Sequence, residues 1–122
     1  MTGLVVDRAM RIHQDLGPGL LETVYEAILE KKLSRAGLRV RRQVPVPLKY
    51  DGLEFKESFR ADLIVEDRVV VEIKAVEEVL KAHKRQLLTY LKLTNLQVGL
   101  LLNFGVAMMR DGIARVVNDF HE

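Results

Sequence analysis

Two acids and a lysine stand inside apolar runs of this chain, at spacings that could do chemistry. Residues 61–65 and 69–75 read ADLIV and VVVEIKA, and within them lie Asp62, Glu72 and Lys74. Burying a charge in such a run is costly unless it is paired or coordinated. Side chains alternate across a strand, so Val70, Glu72 and Lys74 share one face and Val71, Ile73 and Ala75 the other. The Cα atoms of Glu72 and Lys74 are then ~6.6 Å apart. If Glu66-Asp67-Arg68 is a turn centred on Asp67, Val65 pairs with Val69, and counting back sets Asp62 opposite Glu72. Carboxylates so opposed have Cβ atoms ~4.5–5.5 Å apart and repel. A divalent cation is the simplest compensation, because hard cations take carboxylate oxygens. An Asp/Glu/Lys ion-pair network at a sheet edge would serve as well. A one-residue slip in register would put the acids on opposite faces.

Placing those side chains requires a frame, and the periodicity supplies one. Apolar residues at 5, 6, 9, 10, 12 and 16 predict a first helix over residues 4–16. Gly17-Pro18-Gly19 ends it at a tight corner, since proline lacks a donor and glycine permits sharp turns. Leu21, Val24, Tyr25, Ile28, Leu29 and Leu33 form the stripe of a second helix that stops at Gly37. The period then changes. Val40, Val44, Val46 and Leu48 predict a strand, confined by Pro45 and Pro47 to a sheet edge or an irregular run. Asp51-Gly52 signals a hairpin into an alternating strand at 53–59, and 61–65 with 69–75 makes a second hairpin. Residues 77–93 return to helical spacing, 98–104 read as a buried strand, and 108–117 predict a last hairpin strand around Asp111-Gly112. Two helices, about four strands, a long helix and one or two further strands predict an α/β fold, a mixed β-sheet flanked by α-helices.

Composition bounds the possibilities. A chain of 122 residues predicts one domain over 1–122, and 48% hydrophobic with 30% charged residues describes an ordinary soluble protein. The absence of cysteine excludes disulfides and thiolate metal sites and fits a reducing compartment, so a cytoplasmic location is expected. Asp7, Arg8 and Arg11 interrupt any signal-peptide core, and no apolar run reaches the ~18 residues of a membrane span. No membrane partner is expected. The net charge of +2 does not by itself argue for nucleic acid. Its distribution says more: Arg39, Arg41 and Arg42 cluster, as do Lys81, Lys84 and Arg85, as phosphate contacts or as a solvated face. Gly17-Pro18-Gly19 lacks the Lys-Ser/Thr of a phosphate loop, and no Ser/His/Asp constellation is present.

Asp62, followed after a hairpin by Glu72-Ile73-Lys74, resembles the D…ExK core of the PD-(D/E)XK nucleases. Gly19-Leu20-Leu21-Glu22-Thr23-Val24-Tyr25 is similar to the G-x-x-E-x-x-Y signature of the bacterial protein family named after that motif. Gln86-Leu87-Leu88-Thr89-Tyr90 resembles the Q-x-x-x-Y helix motif of RecB-like members of the superfamily. The likeness runs through residues 13–25, 59–65, 71–76, 86–91 and 98–105. It implies a restriction-endonuclease-like fold and hydrolysis of DNA or RNA phosphodiesters with Mg²⁺ or Mn²⁺. By the same resemblance Asp62 and Glu72 are the principal metal ligands, the Ile73 carbonyl can add an oxygen, and Glu22 completes the shell. Lys74 would position or activate the attacking water, while Gln86, Tyr90 and Tyr25 would line the substrate cleft. Plainer roles stand beside these. An acid in a first helical turn, as Glu22 is, is favoured by the helix dipole whatever its function. Tyr25 and Tyr90 could equally be half-buried core residues.

A different class of function is a non-catalytic module that uses this fold to hold nucleic acid or a protein. The intact Asp62, Glu72 and Lys74 favour the nuclease, because a disused site need not keep a buried charge cluster. A small domain with one site, and with apolar surface in residues 98–104 and Met108-Met109, further predicts a homodimer.

Overall fold

The computed structural model of the chain describes residues 1–119. Among these the elements run α1 (Thr2–Leu16), α2 (Glu22–Arg35), β1 (Val40–Tyr50), β2 (Leu53–Val65), β3 (Val69–Lys74), α3 (Lys81–Thr94), β4 (Val98–Asn103) and β5 (Ile113–Val117), with a 3₁₀ turn (Met109–Gly112) before the last strand. The strands form one sheet in the order β1-β2-β3-β4-β5. Only the β3–β4 pair is parallel, joined by α3, and the other three pairs are antiparallel. The mixed sheet flanked by helices is the expected α/β arrangement.

Local chemistry sets the boundaries. α1 stops where Gly17 takes φ 71 and its N–H closes on the His13 carbonyl at 2.7 Å. Asp51 and Gly52 both have positive φ, which makes a two-residue turn matched to strand twist. β1 lies at the sheet edge, where Pro45 and Pro47 remove no needed ladder donor. β2 is one continuous strand and not two, because Arg60 pairs with Pro45 and carries the ladder across the polar gap. α3 begins four residues later than its periodicity predicts. Val76 is held at the sheet by the Asn103 side chain, which accepts its N–H at 3.0 Å and donates to its carbonyl at 2.9 Å. The helix then starts on a reciprocal cap: Leu80 N–H donates to His83 Nδ1, and His83 N–H to the Leu80 carbonyl.

Each face of the sheet buries its own core. On one, Tyr25, Leu29 and Leu33 of α2 and Ile12 of α1 pack on Leu63, Val71, Ile73 and Leu102. On the other, Leu87 and Leu91 of α3 pack on Ala61, Ile64, Val70 and Leu101. Burial of each such leucine contributes ~1.5–3 kcal/mol. β4 is covered by both neighbours and both faces, and Met109 is buried, although Met108 is exposed. The apolar run at 98–104 thus finds its partners within the chain, which removes the argument that predicted a homodimer.

The β1–β2 register shifts between Val46 and Leu48, and nearer the core regular alternation itself fails. Val40 faces the α1/α2 core but Val44 faces α3, and Ala61 and Ile64 both face α3. Strict alternation predicts the opposite in each case. The slip falls at Gln43 and Asp62, which stand opposite each other and are skipped by the ladder between Arg42↔Leu63 and Val44↔Ala61.

Candidate active site

Asp62 sits in this break with β3 on its other side. The β2–β3 ladder pairs Val65↔Val69, Ile64↔Val70 and Leu63↔Val71, and continuing that register sets Asp62 against Glu72. There side chains replace the ladder. Asp62 Oδ2 accepts the Ile73 N–H at 2.8 Å, and the Asp62 N–H donates to Glu72 Oε1 at 3.3 Å. From β1, Gln43 Nε2 donates to Asp62 Oδ1 at 3.3 Å and to Glu26 Oε1 at 2.7 Å. Glu26, on α2, is 3% exposed and also accepts from Arg42 Nε at 2.8 Å. A connected line of polar groups therefore runs from Glu72 through Asp62 and Gln43 to Glu26.

Glu72 and Lys74 follow Val70 on the face toward α3. The end of β3 is tied to β4 by the Phe104 N–H, which donates to the Lys74 carbonyl at 2.8 Å. Gly105 beside it has no room for a side chain, since a Cβ would lie 2.3 Å from the Val76 oxygen.

Electrostatics mark the same place. Glu72 is 7% exposed, and burial pushes its carboxyl up to about 9. The Asp62 charge and a hydrogen bond between the two carboxyls add to the rise, while the Asp62 N–H and the Lys74 charge oppose it. At neutral pH Glu72 accordingly keeps its proton in the metal-free protein. Burial also raises Glu26, against the Arg42 and Gln43 hydrogen bonds, with the Asp62 charge adding to the rise. Tyr90 of α3 is raised by burial and then by Glu72 and Asp62, and its ring stacks on Phe59 with centroids 3.7 Å apart.

No group of three or more His, Cys, Asp or Glu side chains forms a metal cage among the described residues. The pair nevertheless fits a hard cation that keeps much of its water: Mg²⁺ commonly uses one or two carboxylates, and here two acids meet where the strands part. Each Asp62 oxygen accepts one hydrogen bond from a flanking strand, which leaves lone pairs free.

Of the residues singled out from sequence, Asp62 and Glu72 are in contact and Lys74 is adjacent. Ile73 gives its N–H to Asp62 and buries its side chain in the α1/α2 core. Tyr90 is close to the acids, whereas Gln86, one turn earlier, is exposed and its side chain makes no hydrogen bond among the described residues. Glu22 is not brought to the group. It is exposed in the first turn of α2, its carboxylate with neither hydrogen bond nor ion pair among the described residues, and the acid of α2 that does arrive is Glu26, one turn on. Tyr25 does not line a cleft, which corrects the cleft assignment. It is fully buried, its ring stacks on Phe104, and its hydroxyl donates to the Gly17 carbonyl at 2.6 Å while accepting the Leu20 N–H at 3.1 Å. The glycine and tyrosine of G-x-x-E-x-x-Y thus have a structural reason: Gly19 takes φ 106, and Tyr25 latches the corner. Tyr25→Phe should cost ~1–3 kcal/mol in chemical denaturation, by leaving that corner unsatisfied, and should not alter metal affinity.

Glu26 and Gln43 escape a sequence reading for different reasons. Glu26 lies three and seven residues before Leu29 and Leu33, on their buried stripe, and an acid there was a usable signal. Gln43 carries none, because a left-handed glutamine within a strand has no sequence signature. The arginine cluster also resolves: Arg39 pairs with Glu66, Arg41 with Asp67 and Arg42 with Glu26. Lys81, Lys84 and Arg85 are exposed on one face of α3, without ion pairs among the described residues.

No helix among the described residues is long and apolar enough to cross a membrane. Neither the curated proteins nor the solved structures contain a match to the chain. The family model of the PD-(D/E)XK nuclease superfamily, however, matches residues 1–116, which reaches from α1 into β5. With a mixed five-stranded sheet of restriction-endonuclease-like type carrying Asp62 and Glu72 on adjacent strands, the chain belongs to the PD-(D/E)XK nuclease superfamily.

Proposed function

We propose that this chain is a metal-dependent nuclease that hydrolyses DNA or RNA phosphodiester bonds, with Asp62 and Glu72 holding Mg²⁺ or Mn²⁺. The observation that carries the reading is the meeting of these two carboxyls where β2 and β3 part, with Lys74 next on the same strand face. A bound divalent cation acidifies water and offsets charge at phosphorus. The protein's own groups do the rest. Asp62, held by Gln43 and by the Ile73 N–H, would offer its free lone pairs to the cation, Glu72 would join it as a carboxylate, and the Ile73 carbonyl would add an oxygen. Glu26 is the third acid of the site, behind Gln43, in the place expected for Glu22. Lys74 positions the attacking water and stabilises the charge that grows on the phosphate, as a preorganised donor does. Lys81, Lys84 and Arg85, on the exposed face of α3, hold the phosphate backbone. We place the protein in the bacterial G-x-x-E-x-x-Y family and in the cytoplasm.

The test is cleavage of single-stranded and duplex DNA and RNA with Mg²⁺ or Mn²⁺, against the same reactions in chelator. Cleavage in metal alone supports the nuclease. Binding without cleavage on every substrate would favour the non-catalytic module. Substituting alanine for Lys81, Lys84 and Arg85 should flatten the dependence of log affinity on log salt by up to ~0.7–0.9 for each phosphate that the variant no longer neutralises. Parallel slopes for variant and wild type would place the phosphate track elsewhere.

A further inference from the structure

Gln43 combines two features that the proposed chemistry leaves unexplained. Its backbone takes φ 52 inside β1, a region that residues other than glycine visit rarely and at a cost. Such a conformation persists only where the surroundings impose it. Its side-chain amide also joins acids from two elements, Glu26 of α2 and Asp62 of β2, at 2.7 and 3.3 Å. Both features sit where β1 and β2 lose their alternation. A regular residue at 43 would keep Val40 and Val44 on one face, and its side chain would not lie between the two acids. The backbone distortion and the amide bridge are thus one device.

The chemical type of the bridge matters. Arg42 already pairs with Glu26, and an amide N–H₂ donates to both acids without cancelling the charge of Asp62, so the attraction for a cation survives there. A lysine in the same place would neutralise the site. Asp62 is clamped from both flanking strands, Oδ1 by Gln43 and Oδ2 by the Ile73 N–H. The backbone donor is fixed by the strand itself, which leaves Gln43 as the side chain of the clamp.

We propose, resting on the metal-dependent reading above, that Gln43 is a positioning residue of the cation site, which orients Asp62 and tethers Glu26 beside it. Partners of this kind typically set metal affinity by ~10–100-fold.

The experiment is Mn²⁺ titration calorimetry on the full chain, paired with thermal unfolding in chelator, for wild type, Gln43→Gly and Gln43→Asn. Glycine relieves the left-handed backbone and removes the amide. Asparagine tolerates that backbone and keeps an amide one methylene too short to span both acids. Both variants should bind Mn²⁺ roughly 10–100-fold more weakly. Gln43→Gly should unfold near the wild-type temperature in chelator, because relief of strain offsets the lost hydrogen bonds. A lowered unfolding temperature with unchanged Mn²⁺ affinity would make Gln43 merely structural and overturn the proposal. Should the glycine variant fail to fold, the asparagine variant decides, and wild-type affinity in it is the contrary result. A wild type that binds no Mn²⁺ would sink the metal reading itself, and this proposal with it.

Discussion

Glu72→Gln should make the metal-free protein more stable than wild type at pH 8 and remove a pH dependence that wild type shows. Folding raises this carboxyl from 4.5 to about 9, chiefly by burial and then by the Asp62 charge. The folded state therefore binds a proton that the unfolded chain has released at neutral pH. Stability from this group is complete below about 4.5, falls as pH rises, and is exhausted above about 9. The expected slope in that window is of order 1 kcal/mol per pH unit. Glutamine is close in shape to the protonated acid and does not titrate, so its slope should be flatter by that amount. Chemical denaturation in chelator from pH 5 to about pH 9 measures the difference. Parallel curves for the two proteins would show that folding does not hold a proton on Glu72. Millimolar Mg²⁺ should reverse the comparison by stabilising wild type at alkaline pH, since a cation that binds only the folded state adds its binding free energy.

Lys74→Ala should lower nuclease activity by roughly 10²–10⁴-fold while preserving the fold and the metal affinity. Lys74 ends β3 beside Glu72, and its backbone remains bonded to Phe104 whatever the side chain. Its charge lowers Glu72 only as the smallest of five influences, so its loss should leave the cation site nearly intact. Steady-state cleavage and Mn²⁺ calorimetry on the same preparation separate the two roles. Loss of metal affinity in step with activity would make Lys74 a structural partner of the acids. Equal cleavage by variant and wild type would point to a contaminating enzyme.

The parts of the site that were legible in sequence are those fixed by local hairpin geometry. The turn at residues 66–68 pins Val65 to Val69, and that register brings Asp62 to Glu72 in three further steps. What lay beyond reach depends on contacts distant in sequence or on unusual backbone. Asn103 holds Val76 from 27 residues away and delays the start of α3, which no helical period reveals. The slip at Gln43 moves Val44 to the other face although Val40, Val44 and Val46 read as an even period. Tyr25 was ambiguous because an aromatic on a helical stripe looks the same whether it meets a substrate or, as here, latches a glycine corner. Glu22 and Glu26 share a face one turn apart, and only the packing of α2 on β1 and β2 selects the second.

A metal-dependent nuclease of this design requires a cation between Asp62 and Glu72. Crystals soaked in Mn²⁺ and measured for anomalous scattering should show one ion there, absent from Glu72→Ala. A chain that binds Mn²⁺ elsewhere, or a wild-type crystal with no ion at this pair, would contradict it.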